Sequence, residues 1–173
     1  MSLDGLDHRP VVVLVGPMGA GKTTVGRLLA RRWGVTIRDT DHDVEATAGR
    51  SISDLFVESG EAAFRAMERE AVVLALKEHD GVLALGGGAV LDPATRADLA
   101  DCTVVFLRVG LSDAVKRVGL GSSRPLLLGN VRGRIKALLD ERTPIYEEVA
   151  TLVVDTDGRS AADVAAEIEE RLG

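Results

Sequence analysis

A chain of 173 residues has room for one domain with a substantial core, and a single domain over residues 1–173 is the expectation. Its 21 Lys and Arg stand against 27 Asp and Glu, a formal charge of −6, and only 3% of its residues are aromatic. That balance argues against a nucleic-acid surface spread over the fold, which requires clustered positive charge or stacking rings.

Residues 1–10 contain Asp4, Asp7 and Pro10 and no apolar core of signal-peptide length. No stretch approaches the roughly 18 apolar residues of a membrane span, so a cytoplasmic protein without a membrane partner is expected. Residues 11–15 read as a buried strand. Directly after it comes Gly16-Pro17-Met18-Gly19-Ala20-Gly21-Lys22-Thr23, the pattern Gly-x-x-x-x-Gly-Lys-Ser/Thr between a strand and a helix. Glycines leave backbone N–H groups free to face phosphate oxygens, and the helix beginning near Lys22 adds the positive end of its dipole. A nucleoside triphosphate is the implied ligand. Lys22 would meet its β- and γ-phosphates, and the Thr23 hydroxyl would hold a bridging Mg²⁺. Trp33, ending this helix, reads as a packing residue.

A second strand is expected at 35–37, followed by Asp39-Thr40-Asp41. Helical spacing of apolar residues marks 53–56 and 61–77. A third strand at 82–85 ends in Gly86-Gly87-Gly88, where many phosphate-loop proteins carry a magnesium-associated Asp. Asp39 is therefore the candidate metal partner of Thr23. Asp41 has two readings: acceptor of a proton from a substrate hydroxyl, or N-cap of a helix beginning near Val44. The glycine triplet likewise reads either as backbone approached closely by a ligand or as a tight turn. Asp92-Pro93 starts a helix, with Asp92 as N-cap. Cys102 is the only cysteine, which excludes an internal disulfide and a cysteine metal cluster; it reads as a buried apolar side chain before the strand at 103–107. A helix starts at Ser112, a strand covers 152–154, and Ser160 opens the last helix.

Alternation of strand and helix implies a three-layer αβα fold with a five-stranded parallel sheet, whose ligands gather beyond the carboxyl ends of the strands. The irregular stretch 119–130 has glycines near both ends and a central Arg124, the composition of a hinged lid. Arg65, Arg124 and Arg142 stand in unusual contexts, and an Arg fork binds carboxylate or phosphate bidentately. His8, His42 and His79 lack metal-ligand spacing.

These motifs together resemble the shikimate kinase family. The resemblance rests on GPMGAGKTT, the DTD at 39–41, GRSISDLF at 49–56, GEAAFRAME at 60–68, LGGGAV at 85–90, SRPLL at 123–127 and RTPIYEEVA at 142–150. It implies a nucleoside-monophosphate-kinase-like fold, with a substrate-binding segment at about 41–68 and a lid at about 119–130. It also implies transfer of the γ-phosphoryl group of ATP to the 3-hydroxyl of shikimate, with Mg²⁺, in a monomer. On the nucleotide side the resemblance assigns Gly19, Ala20, Gly21, Lys22, Thr23, Thr24 and Arg124, with Arg117 and Arg159 near adenine. On the acceptor side it assigns Asp41 as base, Arg65 and Arg142 to the carboxylate, Phe56 and Phe64 as an apolar wall, and Gly86, Gly87 and Gly88 as backbone lining. Glu68 would orient Arg65. Lys22, Asp41 and Arg124 are the catalytic set, and Thr23 with Asp39 the metal pair.

Two other readings share parts of this pattern. A kinase for another small hydroxylated metabolite such as gluconate, or for a nucleoside monophosphate, would carry the same phosphate loop. A regulatory nucleotide binder without turnover would carry the loop but has no need of an acceptor-side acid such as Asp41.

Overall fold

The structure is a computed structural model and describes residues 9–121 and 130–173. Strands β1 (Val12–Val15), β2 (Ile37–Asp39), β3 (Val82–Ala84), β4 (Val104–Arg108) and β5 (Leu152–Asp155) form one sheet in the order β2-β3-β1-β4-β5, every pairing parallel. Parallel neighbours require crossovers. These are α1 (Lys22–Trp33), α2 (Thr40–Ala48) with α3 (Ile52–Glu78), α4 (Pro93–Leu99), and α5 (Leu111–Gly121) with α6 (Val131–Val149); α7 (Ala161–Leu172) closes the fold.

The pleat of β1 divides the core between two faces. Val12 and Leu14 pack with Leu29 of α1 and Val164 and Ile168 of α7, while Val13 and Val15 pack with Val72 and Ala75 of α3 and Leu99 of α4. All four β1 side chains are buried, which is why the strand reads as an unbroken apolar run rather than an alternating one. The three-layer architecture is as expected. At the carboxyl edge of the sheet, the phosphate loop, the end of β2 and the glycines after β3 come together.

Four local features differ from the expectation. Strand β2 begins at Ile37, because α1 ends on Gly34 in the left-handed region (φ 64°) and the Val35 N–H bonds back to Ala30 O at 2.9 Å. That helix cap uses the residues expected to start the strand. Helix α2 starts at Thr40, with Asp39 rather than Asp41 as its N-cap. No helix is expected at 131–149, but α6 covers it, continues through Pro144 and buries Tyr146 against Phe106, ring centroids 5.0 Å apart. Cys102 is half-buried at the turn after α4, its Sγ facing Asp98 O, rather than enclosed. The expected helical segments around 53–56 and 61–77 lie in α3, which is broken at Gly60 (φ 84°, ψ 169°). Helix α5 runs to Gly121, so the expected lid starts in a helix; Arg124 lies outside the described residues.

Candidate active site

Gly19 and Gly21 adopt φ of 82° and 93°, a region that side-chain-bearing residues rarely enter. The loop therefore curls tightly into α1, which has no side-chain N-cap. Its first backbone N–H groups are left for a ligand, an arrangement suited to an anion. Inside the loop, Lys22 Nζ donates to Gly16 O at 2.5 Å and Pro17 O at 2.9 Å. Burial pulls the Lys22 pKa down to about 8; Asp41 and Asp39 oppose that fall and Arg142 adds to it.

Asp39 uses both carboxylate oxygens. Oδ1 accepts from the Asp41 N–H at 2.8 Å, capping α2, and Oδ2 accepts from Thr23 Oγ1 at 3.2 Å. A hydroxyl and a carboxylate side by side are hard oxygen donors, and the described residues contain no cluster of three or more His, Cys, Asp and Glu able to hold a metal alone. That donor set fits Mg²⁺, which keeps waters and takes phosphate oxygens as ligands, and does not fit a metal needing a closed protein cage. Because the chain turns helical at Thr40, Asp41 does not follow Asp39 along an extended strand. Instead its Oδ1 lies against Gly86. Burial raises the Asp41 pKa, the neighbouring Asp39 charge raises it further, and Lys22 opposes both. A carboxylate of raised basicity is a better proton acceptor.

Two glycines of the triplet after β3, Gly86 and Gly88, are each crowded by a different polar side chain, and Gly87 borders a third at ordinary contact distance. A methyl placed on Gly86 would sit 2.5 Å from Asp41 Oδ1, and one on Gly88 would sit 2.6 Å from Arg65 Cζ. On Gly87 it would touch Arg142 Nη1, Gly16 O and Met18 N, each at 3.6 Å. None of the three has a positive φ, so at Gly86 and Gly88 close approach and not backbone conformation accounts for glycine. The neighbours that occupy this space are the protein's own Asp41, Arg65 and Arg142.

Arg65 donates to the buried Glu68 at 2.7 Å, lies 3.6 Å from Glu61 through Nε, and stacks 5.2 Å from the Phe64 ring centroid. Burial pushes the Glu68 pKa up, against the pull of the Arg65 hydrogen bond. Phe64 is buried and touches the half-exposed Phe56, centroids 4.9 Å apart. Among the described residues, the buried Nε atoms of Arg65 and Arg142 have no hydrogen-bond partner. Both arginines line the cavity, where a guanidinium fork suits an anion.

These groups line one cavity of about 770 Å³. Gly19, Gly21, Lys22, Thr23, Thr24 and Asp39 form its phosphate side; Asp41, Phe56, Phe64, Arg65, Gly87, Gly88 and Arg142 form the other. Ala20 and Gly86 are buried behind this surface. Arg117 braces the loop, donating to Gly19 O at 2.9 Å and to Thr156 O at 3.1 Å. Arg159 folds onto α7, donating to Glu167 at 2.7 Å and Asp155 O at 2.9 Å, and does not reach the cavity. The apolar lid side is Ile135, Leu138 and Leu139 of α6, which the sequence reading does not pick out because no helix is assigned there. A smaller cavity of about 370 Å³ lies at the amino ends of β1 and β4, where Arg69 is neutralised by Asp98 at 2.7 Å. No helix of the described residues is long and apolar enough to cross a membrane.

Comparison with known proteins agrees with this geometry. The shikimate kinase family model matches residues 18–173. A shikimate kinase of Thermobifida fusca is 57% identical over 167 residues, 96% of this chain and 97% of the relative. One from Salinispora arenicola is 60% identical over 163 residues, 94% of this chain and 98% of that protein. Among solved structures, the shikimate kinase of Acinetobacter baumannii in complex with shikimate superposes with a TM-score of 0.88 at 36% identity, covering 98% of this chain and 96% of its own. With the phosphate loop, the acid pair and the arginine-lined cavity in one continuous site, and with relatives matched over nearly their whole length, this chain belongs to the shikimate kinase family.

Proposed function

We propose that this chain transfers the γ-phosphoryl group of ATP to the 3-hydroxyl of shikimate, giving ADP and shikimate 3-phosphate. The observation that carries the reading is the pair of arginines, Arg65 and Arg142, that line the cavity beside Asp41 and the phosphate loop. A carboxylate-bearing polyol offers both halves of what that site lacks: an anion for the arginines and a hydroxyl for the acid.

In this reading the acceptor is oriented by Arg65 and Arg142 on its carboxylate and by the Phe56 and Phe64 wall on its ring. Asp41 accepts the proton of the hydroxyl as the oxygen–phosphorus bond forms, while the bond from the γ-phosphorus to the β–γ bridging oxygen breaks and ADP leaves. The loose transition state asks little of a base, so alignment and charge neutralisation supply most of the acceleration. Lys22 leaves the Gly16 and Pro17 carbonyls for the phosphates. Thr23 and Asp39 are the residues that would hold Mg²⁺, which when bound neutralises phosphate charge. Arg124 would add a further positive charge to the phosphates, and Arg117 would bound the adenine, with Arg159 further out. The chain works as a single-domain monomer in the cytoplasm, with residues at about 41–68 receiving the acceptor and those at about 119–130 as lid.

ADP release in a coupled assay tests this, with ATP and shikimate, gluconate or a nucleoside monophosphate as acceptor. Release that depends on shikimate and on added Mg²⁺ is expected. Release with another acceptor alone, or ATP binding without turnover on any acceptor, overturns it.

A further inference from the structure

Asp41 and Arg65 crowd Gly86 and Gly88, and Arg142 lies within contact reach of Gly87; the three are held at different points of the chain, on α2, α3 and α6, so the triplet is the surface that registers them against one another. What fixes the triplet itself is not the sheet. The last ladder bond on this side is Leu85 N–H to Leu14 O at 3.1 Å; beyond it β1 has become the phosphate loop and β2 has become α2. Gly86 and Gly88 are buried, where unpaired backbone groups are costly. Gly86 O and Gly88 O accept from Ala89 N–H and Leu91 N–H, each at 3.1 Å, and two side-chain hydroxyls supply the further partners. Gly86 N–H donates to Thr40 Oγ1 at 3.1 Å, and Tyr146 Oη donates to Gly87 O at 2.5 Å.

We infer that Thr40 and Tyr146 are positioning residues that clamp the glycine triplet from two sides and thereby set the spacing of Asp41, Arg65 and Arg142 around the acceptor. The proposal rests on the acceptor reading given above. Neither residue touches the cavity: Thr40 is 0% and Tyr146 1% exposed. Each is nevertheless coupled to an acceptor-side group. Thr40 directly precedes Asp41, and Tyr146 lies one helical turn after Arg142 on the same face of α6. Removing either hydroxyl frees the triplet to shift, and the arginines and Asp41 shift with it. The phosphate loop has its own brace, from Arg117 to Gly19, so the nucleotide side is held independently.

The test is steady-state kinetics on the full chain with shikimate varied at saturating Mg²⁺–ATP, and the reverse. Tyr146→Phe and Thr40→Val are each expected to raise KM for shikimate about fivefold or more, the scale of one buried hydrogen bond, with KM for ATP within about twofold of wild type. Thr40→Ser keeps the hydroxyl and is expected to restore the wild-type KM. Variants that fold and keep both KM values, whatever happens to their melting temperature, reduce the two hydroxyls to structural ones and overturn the proposal. The chain contains a single tyrosine, so ¹³Cζ-tyrosine labelling of the wild type yields one resonance and needs no variant to fold. That resonance is expected to move on saturation with shikimate, and an unmoved resonance overturns the clamp. A wild type inactive on shikimate overturns the acceptor reading and the clamp together; an active wild type with unaltered variants overturns the clamp alone.

Discussion

Lys22 Nζ lies 2.5 Å from the carbonyl oxygen of Gly16, so the cation of the phosphate loop is bonded to the loop's own backbone. Its burial holds its pKa at about 8, below its ordinary 10.5. Between those values the unfolded chain carries a proton on this amine that the folded chain has lost, so Lys22 makes stability rise with pH across that window. Lys22→Met is expected to remove this rise and to raise the melting temperature at neutral pH, while lowering turnover by about two orders of magnitude or more. Triphosphate favours the charged amine. Calorimetric titration of ATP near pH 8.5 in two buffers of different ionisation enthalpy is therefore expected to report proton uptake, and affinity is expected to weaken as pH climbs past about 8.

Asp41 carries the opposite sign. Its raised pKa means that the folded chain holds a proton to higher pH than the unfolded one, so its ionisation at neutral pH costs stability. Asp41→Asn is expected to leave the melting temperature unchanged or higher and to lower kcat by about 10²-fold or more. The acid limb of the wild-type kcat profile is expected above the ordinary carboxylate range, and to be absent from the variant.

Gly88 has φ −99° and ψ 2°, a conformation open to alanine, so Gly88→Ala tests only the space beside Arg65. KM for shikimate is expected to rise about tenfold or more, as in Arg65→Ala or Arg142→Ala, with KM for ATP little changed. Unchanged acceptor affinity in all three would remove the carboxylate clamp.

Thr23→Val deletes a hydroxyl beside Asp39 without touching the α2 cap. It is expected to shift the Mg²⁺ dependence of turnover to higher metal with little change in melting temperature. Asp39→Ala is expected to do both, losing metal response and about 1 kcal/mol of stability through the N-cap. Magnesium titration of activity alongside thermal melts separates the two roles.

Local chemistry made much of this site legible before any fold was known. A phosphate loop writes its function into eight contiguous residues, because its glycines, lysine and threonine act through backbone conformation and a helix start. Asp92 and Ser160 announced their helices for the same reason: each accepts from a backbone N–H two or three residues on. Helix α6 was not legible in the sequence; it carries Pro144 inside it, a local breaker that tertiary packing of Tyr146 overrides. With it were hidden Ile135, Leu138 and Leu139, and the one-turn relation between Arg142 and Tyr146.

The sequence by itself determined the order of the elements, the phosphate-binding loop and the residue types available to the acceptor, since each depends on neighbours within a few positions. Only the tertiary structure decided that Asp39 divides its oxygens between Thr23 and the α2 cap, and that Gly86 and Gly88 make room for Asp41 and Arg65 while Gly87 borders Arg142. It also decided that hydroxyls from Thr40 and Tyr146 hold those glycines. Such contacts join residues up to 59 positions apart, at the sheet edge where strands stop pairing and side chains must satisfy the buried backbone instead.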